Sequence, residues 1–417
     1  MREMKDSGIE WIGQIPKGWE LRRAKTLFTQ RNSKGNGIEV LLSPTQKYGV
    51  VPQSQLEGVV QVKEDTDLQM FKTIHKGDFV ISLRSFQGGF EYSLYEGVCS
   101  PAYQVFYPTS PICDTYYRYL FKSQSFISKM NNLTVGIREG KNIQYVDFAN
   151  SQIPVPPLAE QERIAAFLDA ECAEIDTVLE KTRASIEEYK KLKQAVITQA
   201  VTKGIRGDRP MKNSGIEWIG DIPAEWSLVP FSKFARVSAN LVNPSDYQDY
   251  LQVSPENIEK DSGKLLPCKT VSEVGVESWN HFFHKGQILY SKIRPKLNKV
   301  CIAPFDGLCS ADMYPIDTDN ISKFVVYTIL SNDFNQQVAM ITENRVKMPK
   351  INQKELSKII VVLPANRMEQ QEIVDYLDGE CGKIDSLIAK KQQYLTEIEN
   401  YKKSLIYEYV TGKKEVV

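Results

Sequence analysis

Two long stretches of this chain carry apolar residues at alternating spacings of three and four. After Pro156-Pro157 the sequence runs to Gly204 without a glycine or a proline. Within that run Leu168, Cys172, Ile175, Leu179, Thr182, Ile186, Tyr189, Lys193, Val196 and Ala200 occupy the a and d places of a heptad frame. The same frame moved on by 209 residues gives Leu377, Cys381, Ile384, Ile388, Lys391, Leu395, Ile398, Lys402, Leu405 and Tyr409. Mostly apolar seams kept over more than four heptads predict coiled-coil packing. A helix of roughly 40 residues spans about 60 Å at its rise per residue. With one such helix per half, the economical solution packs them on each other, antiparallel, under a pseudo-two-fold relation. Lys193 and Lys402 fall on the seam at equivalent places and either face out or act as register devices. Cys172 and Cys381 on the same seam read as small hydrophobes.

The stretch before each helix follows a different pattern. "KGDFVISL" and "KGQILYSKI" each follow a turn signal with β-branched and aromatic residues, as strands do. Proline and glycine punctuate both regions, and a helix is predicted in "DTYYRYLFKSQSFISKM" and again in "SKFVVYTILSNDFNQQVAM". Each region is therefore α+β. The two regions are also copies of each other. "SGIEWIGQIPKGW" (Ser7 to Trp19) returns as "SGIEWIGDIPAEW" (Ser214 to Trp226), with ten of thirteen residues identical. "IHKGDFVIS" returns as "FHKGQILYS", "EGVCSPAY" as "DGLCSADM", and "FLDAECAEIDTVL" as "YLDGECGKIDSLI". The whole chain is one unit written twice. The repeated lead-in carries no chemistry and reads as structure, with Trp11, Ile15 and Trp19 as its anchors.

Composition narrows the class. The chain has 417 residues, 42% hydrophobic and 25% charged, which describes a globular protein of two or three domains. No apolar run approaches the roughly 18 residues that cross a membrane, and no signal-peptide pattern opens the chain, so a cytoplasmic location is expected. Seven scattered cysteines give no disulfide framework, and three histidines argue against a histidine-rich metal site. "GIREGKN" (Gly136 to Asn142) falls one residue short of a phosphate loop and reads as a turn. "NPSDY" (Asn243 to Tyr247) lacks the second proline of an adenine methyltransferase motif. No cofactor loop, metal pattern or catalytic pair is found.

Net charge is zero, with 52 basic and 52 acidic residues, so any nucleic-acid contact must use local patches. Such patches exist. From Ser278 to Phe305 there is no acid, and "NRVKMPK" and the stretch from Thr115 to Arg138 are acid-free and basic as well. "SLRSFQGGF" sets Arg84, Ser85 and Gln87 beside two glycines. For any one residue a solvated loop is the simpler reading. As groups, these mixtures of basic and amide side chains suit phosphate contact and base reading. The candidate DNA-contacting residues are Lys47, Arg84, Ser85, Gln87, Arg138 and Lys141 in the first half, and Lys292, Arg294, Lys296, Asn298, Lys299, Arg345, Lys347 and Lys350 in the second.

The lead-in "SGIEWIGxIPxxW", the stretch "PPLAEQERIAAFLDAECAEID" and its repeat "LPANRMEQQEIVDYLDGECGKID" resemble the specificity subunit of type I restriction-modification systems, over essentially the whole chain. The second copy carries two extra residues before its glutamine and lacks the double proline. The resemblance implies two similar globular target-recognition domains (1–157 and 214–364), a linker (204–213), and two long spacer helices (158–203 and 365–412) packed as an antiparallel coiled coil. It implies double-stranded DNA as a partner, each domain reading one half of a bipartite target. It also implies two methyltransferase subunits, which carry S-adenosylmethionine and dock on the helices, with Gln161 and Gln370 as candidate contacts. A translocating endonuclease subunit would complete the assembly. A two-headed coiled-coil scaffold that ignores DNA is the alternative.

Overall fold

The structure is a computed structural model, and it describes residues 2–35, 40–56, 68–82, 89–133, 143–345 and 348–416. The heptad stretches form helices over Leu158–Lys203 (α2) and Arg367–Val410 (α4). Their first residues are 209 positions apart despite the different sequences that precede them. In the second copy Asn366 caps the helix, its Oδ1 accepting from the Glu369 N–H at 2.9 Å. The extra residues therefore leave the helix start unmoved.

The chain divides into two compact units that do not follow the five segments read from the sequence. The first joins Met1–Thr182 to Tyr394–Val417, and the second is Arg183–Gln393. Each unit holds the first half of one long helix and the second half of the other, so where they pair the helices run antiparallel. In the first unit Leu168, Ile175 and Leu179 share a core with Leu405 and Val410. In the second, Ile197, Ala200 and Val201 share one with Leu377 and Cys381. Every a and d residue of both frames is buried or half-buried.

The globular parts are built alike. In the first unit, among the described residues, strands Phe28–Arg31 (β1), Phe79–Ile81 (β2), Phe90–Tyr92 (β3) and Gln104–Pro108 (β4) form an antiparallel sheet in the order β1-β4-β2-β3. In the second, Arg236–Val237 (β5), Ile288–Ser291 (β6), Val300–Ile302 (β7) and Met313–Asp317 (β8) repeat that order as β5-β8-β6-β7. The inner face in the first unit is aromatic, with Phe28 edge-on to Phe79, Phe106 and Tyr117 at 5.8, 5.6 and 5.3 Å. The helix expected after each sheet is broken once. Asp114–Lys122 (α1) ends at Ser123, and Ser322–Leu330 (α3) ends at Ser331. The Ser331 Oγ donates to the Thr328 carbonyl and accepts from the Phe334 N–H, so one serine closes a helix and opens the next.

A ladder of polar contacts mounts each sheet domain on the first half of its long helix, and every rung occurs twice. At the top, Glu160 accepts from the Trp19 indole at 2.9 Å and from Arg2 at 2.6 Å. Its equivalent Glu369 accepts from Trp226 at 2.9 Å and Arg209 at 2.7 Å. Next, Gln161 accepts from the Cys113 N–H ahead of α1 at 2.9 Å, and Gln370 from the Ile321 N–H ahead of α3 at 3.0 Å. Two turns on, Tyr119 and Arg118 donate to Asp169, as Tyr327 and Lys323 do to Asp378. The last rung joins the helices themselves, Lys402 to Asp176 at 2.6 Å and Lys193 to Asp385 at 2.7 Å. The seam lysines thus turn inward to a partner on the opposite helix.

The lead-in is a short antiparallel hairpin, Met4–Asp6 with Gln14–Pro16, repeated as Met211–Asn213 with Asp221–Pro223. Ile15 and Trp19 are buried, while Trp11 is half-buried against Phe126 and its equivalent Trp218 is 39% exposed. The end of the other long helix reaches the same place. Gly412, with φ +71°, lies against Pro16 and Trp19, where a Cβ would come within 2.5 Å of the Pro16 ring. Gly204, with φ +75°, stands in the same way against Arg209 and Trp226.

One buried acid in the first unit stands apart from this ladder. Glu91 of β3 is fully buried, bound to Lys122 through one oxygen at 2.5 Å, with Oε2 left without a partner. Burial pushes its carboxyl up from 4.5 to about 7, against the pull of Lys122.

Two predictions concern stability. Glu369→Ala leaves the Trp226 N–H unpaired and the Arg209 guanidinium with Glu225 alone, in a site where Glu369 is 2% exposed. It is expected to cost about 3 kcal/mol in denaturant unfolding, and Glu160→Ala less, because Arg2 and Glu160 are more exposed. Glu91 holds a proton in the folded state that the unfolded chain has released. Stability of the first unit therefore falls as pH rises from 4.5 to about 7 and levels off above. Glu91→Gln is expected to flatten that slope in thermal melts across the same window.

Candidate nucleic-acid interface

The two basic runs of the second half, distant in sequence, meet beyond the end of β6. The chain leaves β6 at Ser291 and passes through a short 3-10 turn, Pro295–Leu297, before returning as β7. Backbone hydrogen bonds bind this loop to the other run. Arg294 N–H donates to the Pro349 carbonyl at 2.8 Å, Ile351 N–H to the Lys292 carbonyl at 2.9 Å, and Lys292 N–H to the Asp312 carbonyl at 3.0 Å. Tertiary structure thus makes one cluster from Lys292, Arg294, Lys296, Arg345 and Lys350.

The backbone here is strained. Arg294, Asn298 and Met348 have φ of +44°, +46° and +47°, and Asp261, whose N–H donates to the Asn298 carbonyl, has +56°. Left-handed backbone is unfavourable for side chains with a Cβ, and such residues gather where a surface must be held in one shape. Pro295 and Pro349 stand beside them, each with its own φ fixed by its ring.

Within the cluster the side chains divide into two kinds. Arg294 and Lys296 are exposed, and among the described residues neither makes an ion pair. Lys292 is half-buried over the Tyr314 ring at 5.3 Å and also lacks a carboxylate partner there. These three cations are free to take phosphates or base edges. The rest are occupied. Arg345 pairs with Glu355 at 2.5 Å and holds that carboxyl below its usual range. Lys350 pairs with Asp312 at 2.9 Å, and Lys299 donates to the Pro255 carbonyl at 2.6 Å.

Several candidate residues therefore have another role. Asn298 is 1% exposed, and its Nδ2 donates to the Leu330 carbonyl at 3.3 Å, so it supports the loop from within and does not face a base. Gln161 and Gln370, each 2% exposed, spend their amides inside their own domains, Nε2 reaching the Pro156 carbonyl in one and Asn320 in the other. They are mounting residues and offer no surface to a partner. Lys47 lies exposed in the first unit, over the Tyr48 ring at 4.9 Å. Arg84, Ser85, Gln87, Arg138, Lys141 and Lys347 lie outside the described residues, as does the "GIREGKN" segment. The "NPSDY" segment is a 3-10 turn capped by its own asparagine, the Asn243 Oδ1 accepting from the Ser245 N–H. Sequence reading missed the carboxylates Asp312 and Glu355, which lie 38 and 10 residues from the lysine and arginine they hold. Among the described residues no helix is long and apolar enough to cross a membrane.

Comparison with known proteins agrees with the internal repeat. The chain matches the type I restriction modification DNA specificity domain twice, over residues 16–188 and 236–400. It is 33% identical over 351 residues to the specificity subunit of the type I restriction enzyme EcoDI of Escherichia coli, covering 78% of this chain and 76% of that one. A chain solved in a study of complex assembly and conformational transition of the type I R-M system shares the fold with a TM-score of 0.71, at 16% identity, over 96% of this chain and 99% of that one. The crystal structure of the HsdS subunit from Thermoanaerobacter tengcongensis is more distant, with a TM-score of 0.50, at 15% identity, over 96% of this chain and 98% of that one. By the doubled domain match and this relatedness, the chain belongs to the family of DNA specificity subunits of type I restriction-modification systems.

Proposed function

We propose that each unit of this chain reads one half of a bipartite DNA target, and that the chain itself performs no chemistry. The observation that carries the reading is the doubling of the mount: the same sheet domain is held on the same helical position by the same three polar rungs. Two equivalent domains carrying different loops are what two different half-sites require. In the second unit the strained loop supplies Arg294 for base reading, with Lys292 and Lys296 placing it on the phosphates. Methyl transfer would belong to methyltransferase subunits, two copies docked along the long helices and supplying S-adenosylmethionine. Cleavage would belong to a translocating endonuclease subunit. With the glutamines buried, docking would use the outward helical faces.

Mapping methylated adenines in cells that carry the complete system tests the reading. One bipartite motif of fixed spacing is expected, and random placement would refute it. Arg294→Ala should relax one position of a single half-site at a cost of about 1–3 kcal/mol, leaving the other half-site unchanged. Lys296→Ala should instead weaken all sequences alike and lower the salt slope of binding by about one. Asn298→Gly, which tolerates left-handed backbone, should retain DNA affinity better than Asn298→Ala in the same titration.

A further inference from the structure

The second unit has another surface of opposite character. Residues 285–299 carry five basic and no acidic side chains, whereas residues 240–284 carry seven acidic and three basic ones. The acidic segment builds a second sheet, Leu241–Val242 pairing with Asn280–Phe283, with the short helix Val271–Val274 beside it. The helix is tied down by the Val271 N–H, which donates to the Tyr250 carbonyl at 2.8 Å. Aromatic rings cover one part of this sheet. Tyr247, Tyr250 and Phe282 lie 5.3 to 5.9 Å from one another, and His284 stands 5.0 Å from Phe282.

This surface is exposed where burial would be expected. Trp279 is 60% exposed, Val274 47% and Tyr250 41%, while nearly all large apolar side chains of the adjoining sheet are buried. Asp246 beside Tyr247, Asp249 beside Tyr250, and Glu277 are exposed, as is Lys269 on the neighbouring strand, and none of them makes an ion pair among the described residues. Glu273 accepts from the Thr270 N–H at 2.8 Å. Exposed aromatics clustered on rigid elements are characteristic of protein-binding surfaces. The carboxylates would repel a phosphate backbone, so the face is unsuited to DNA. Rings rimmed by unpaired acids suit a guanidinium or ammonium group, which stacks on the ring face while a carboxylate takes its charge.

We propose that the face bearing Tyr247, Tyr250 and Phe282 docks a protein segment presenting arginine and lysine side chains. The segment would lay its methylene stems and guanidinium planes on Tyr250 and Phe282, with Asp246 and Asp249 pairing the charges. This proposal does not depend on DNA recognition by the loop beyond β6.

The test uses the full chain and three labelled probes at about 0.15 M salt: a short peptide of alternating arginine and glycine, its glutamate counterpart, and a DNA duplex. The arginine peptide is expected to bind saturably and the glutamate peptide not at all. Tyr250→Ala, and separately Asp246→Asn with Asp249→Asn, should each weaken the arginine peptide about tenfold, with melting temperature and duplex affinity unchanged. Equal peptide affinity in wild type and both variants overturns the proposal. So does a loss of duplex affinity in Tyr250→Ala, which would assign the face to DNA. If the chain bound no duplex at all, the peptide result would still stand by itself, so the two readings fail separately.

Discussion

The carboxylate at the start of each long helix, half-buried in the first unit and buried in the second, is the contact on which the rest of the structure depends. An ionised glutamate taken out of water is costly unless its oxygens are paired. Here the first turn of the helix contributes its positive end, an arginine contributes charge, and the tryptophan of the lead-in contributes an indole N–H. The arginine also lies over that indole, at 5.3 Å in the first unit and 5.2 Å in the second. Because the other long helix ends with its glycine against the same tryptophan, three segments meet at one point. The duplicated lead-in is thus the socket of a joint, and its conspicuous aromatic sequence is explained by packing.

Below the joint, the remaining rungs resist rotation of each domain about its helix. Tyr119 with Asp169, and Tyr327 with Asp378, hold the sheet side, while the lysine–aspartate pairs hold the partner helix. A polar pair on an otherwise apolar seam contributes little stability relative to hydrophobic packing. Its effect is to disfavour other arrangements, since any slip leaves a charge beside aliphatic side chains. Rigidity of this kind serves a protein that must present loops in one orientation.

The charge of the chain is zero only in sum. In the second unit, basic loops stiffened by internal salt bridges and left-handed backbone contrast with an acidic face bearing exposed rings. The staples Asp312 and Glu355 neutralise Lys350 and Arg345, while Lys292, Arg294 and Lys296 have no carboxylate partner among the described residues. Fewer free cations in a fixed frame favour selective contact over indiscriminate attraction.

Much of the architecture was legible in the residues. The two helices, the seam, the duplication and the α+β character all follow from periodicity and self-similarity, which depend on neighbours three to seven positions away or on comparison of the chain with itself. The serine that splits the helix after each sheet was not, since a single polar residue in an apolar run reads equally as a surface position. The roles of the polar residues were hidden as well. Gln161, Asn298 and Arg345 look alike in sequence, as amides or cations among others of their kind. Only the tertiary structure assigns the first two to the interior and the third to a salt bridge, because their partners Cys113, Leu330 and Glu355 are brought to them by folding. Sequence alone thus determined which segments are helix, strand and repeat. Burial and partnership between distant residues decided which charges remain free to meet DNA.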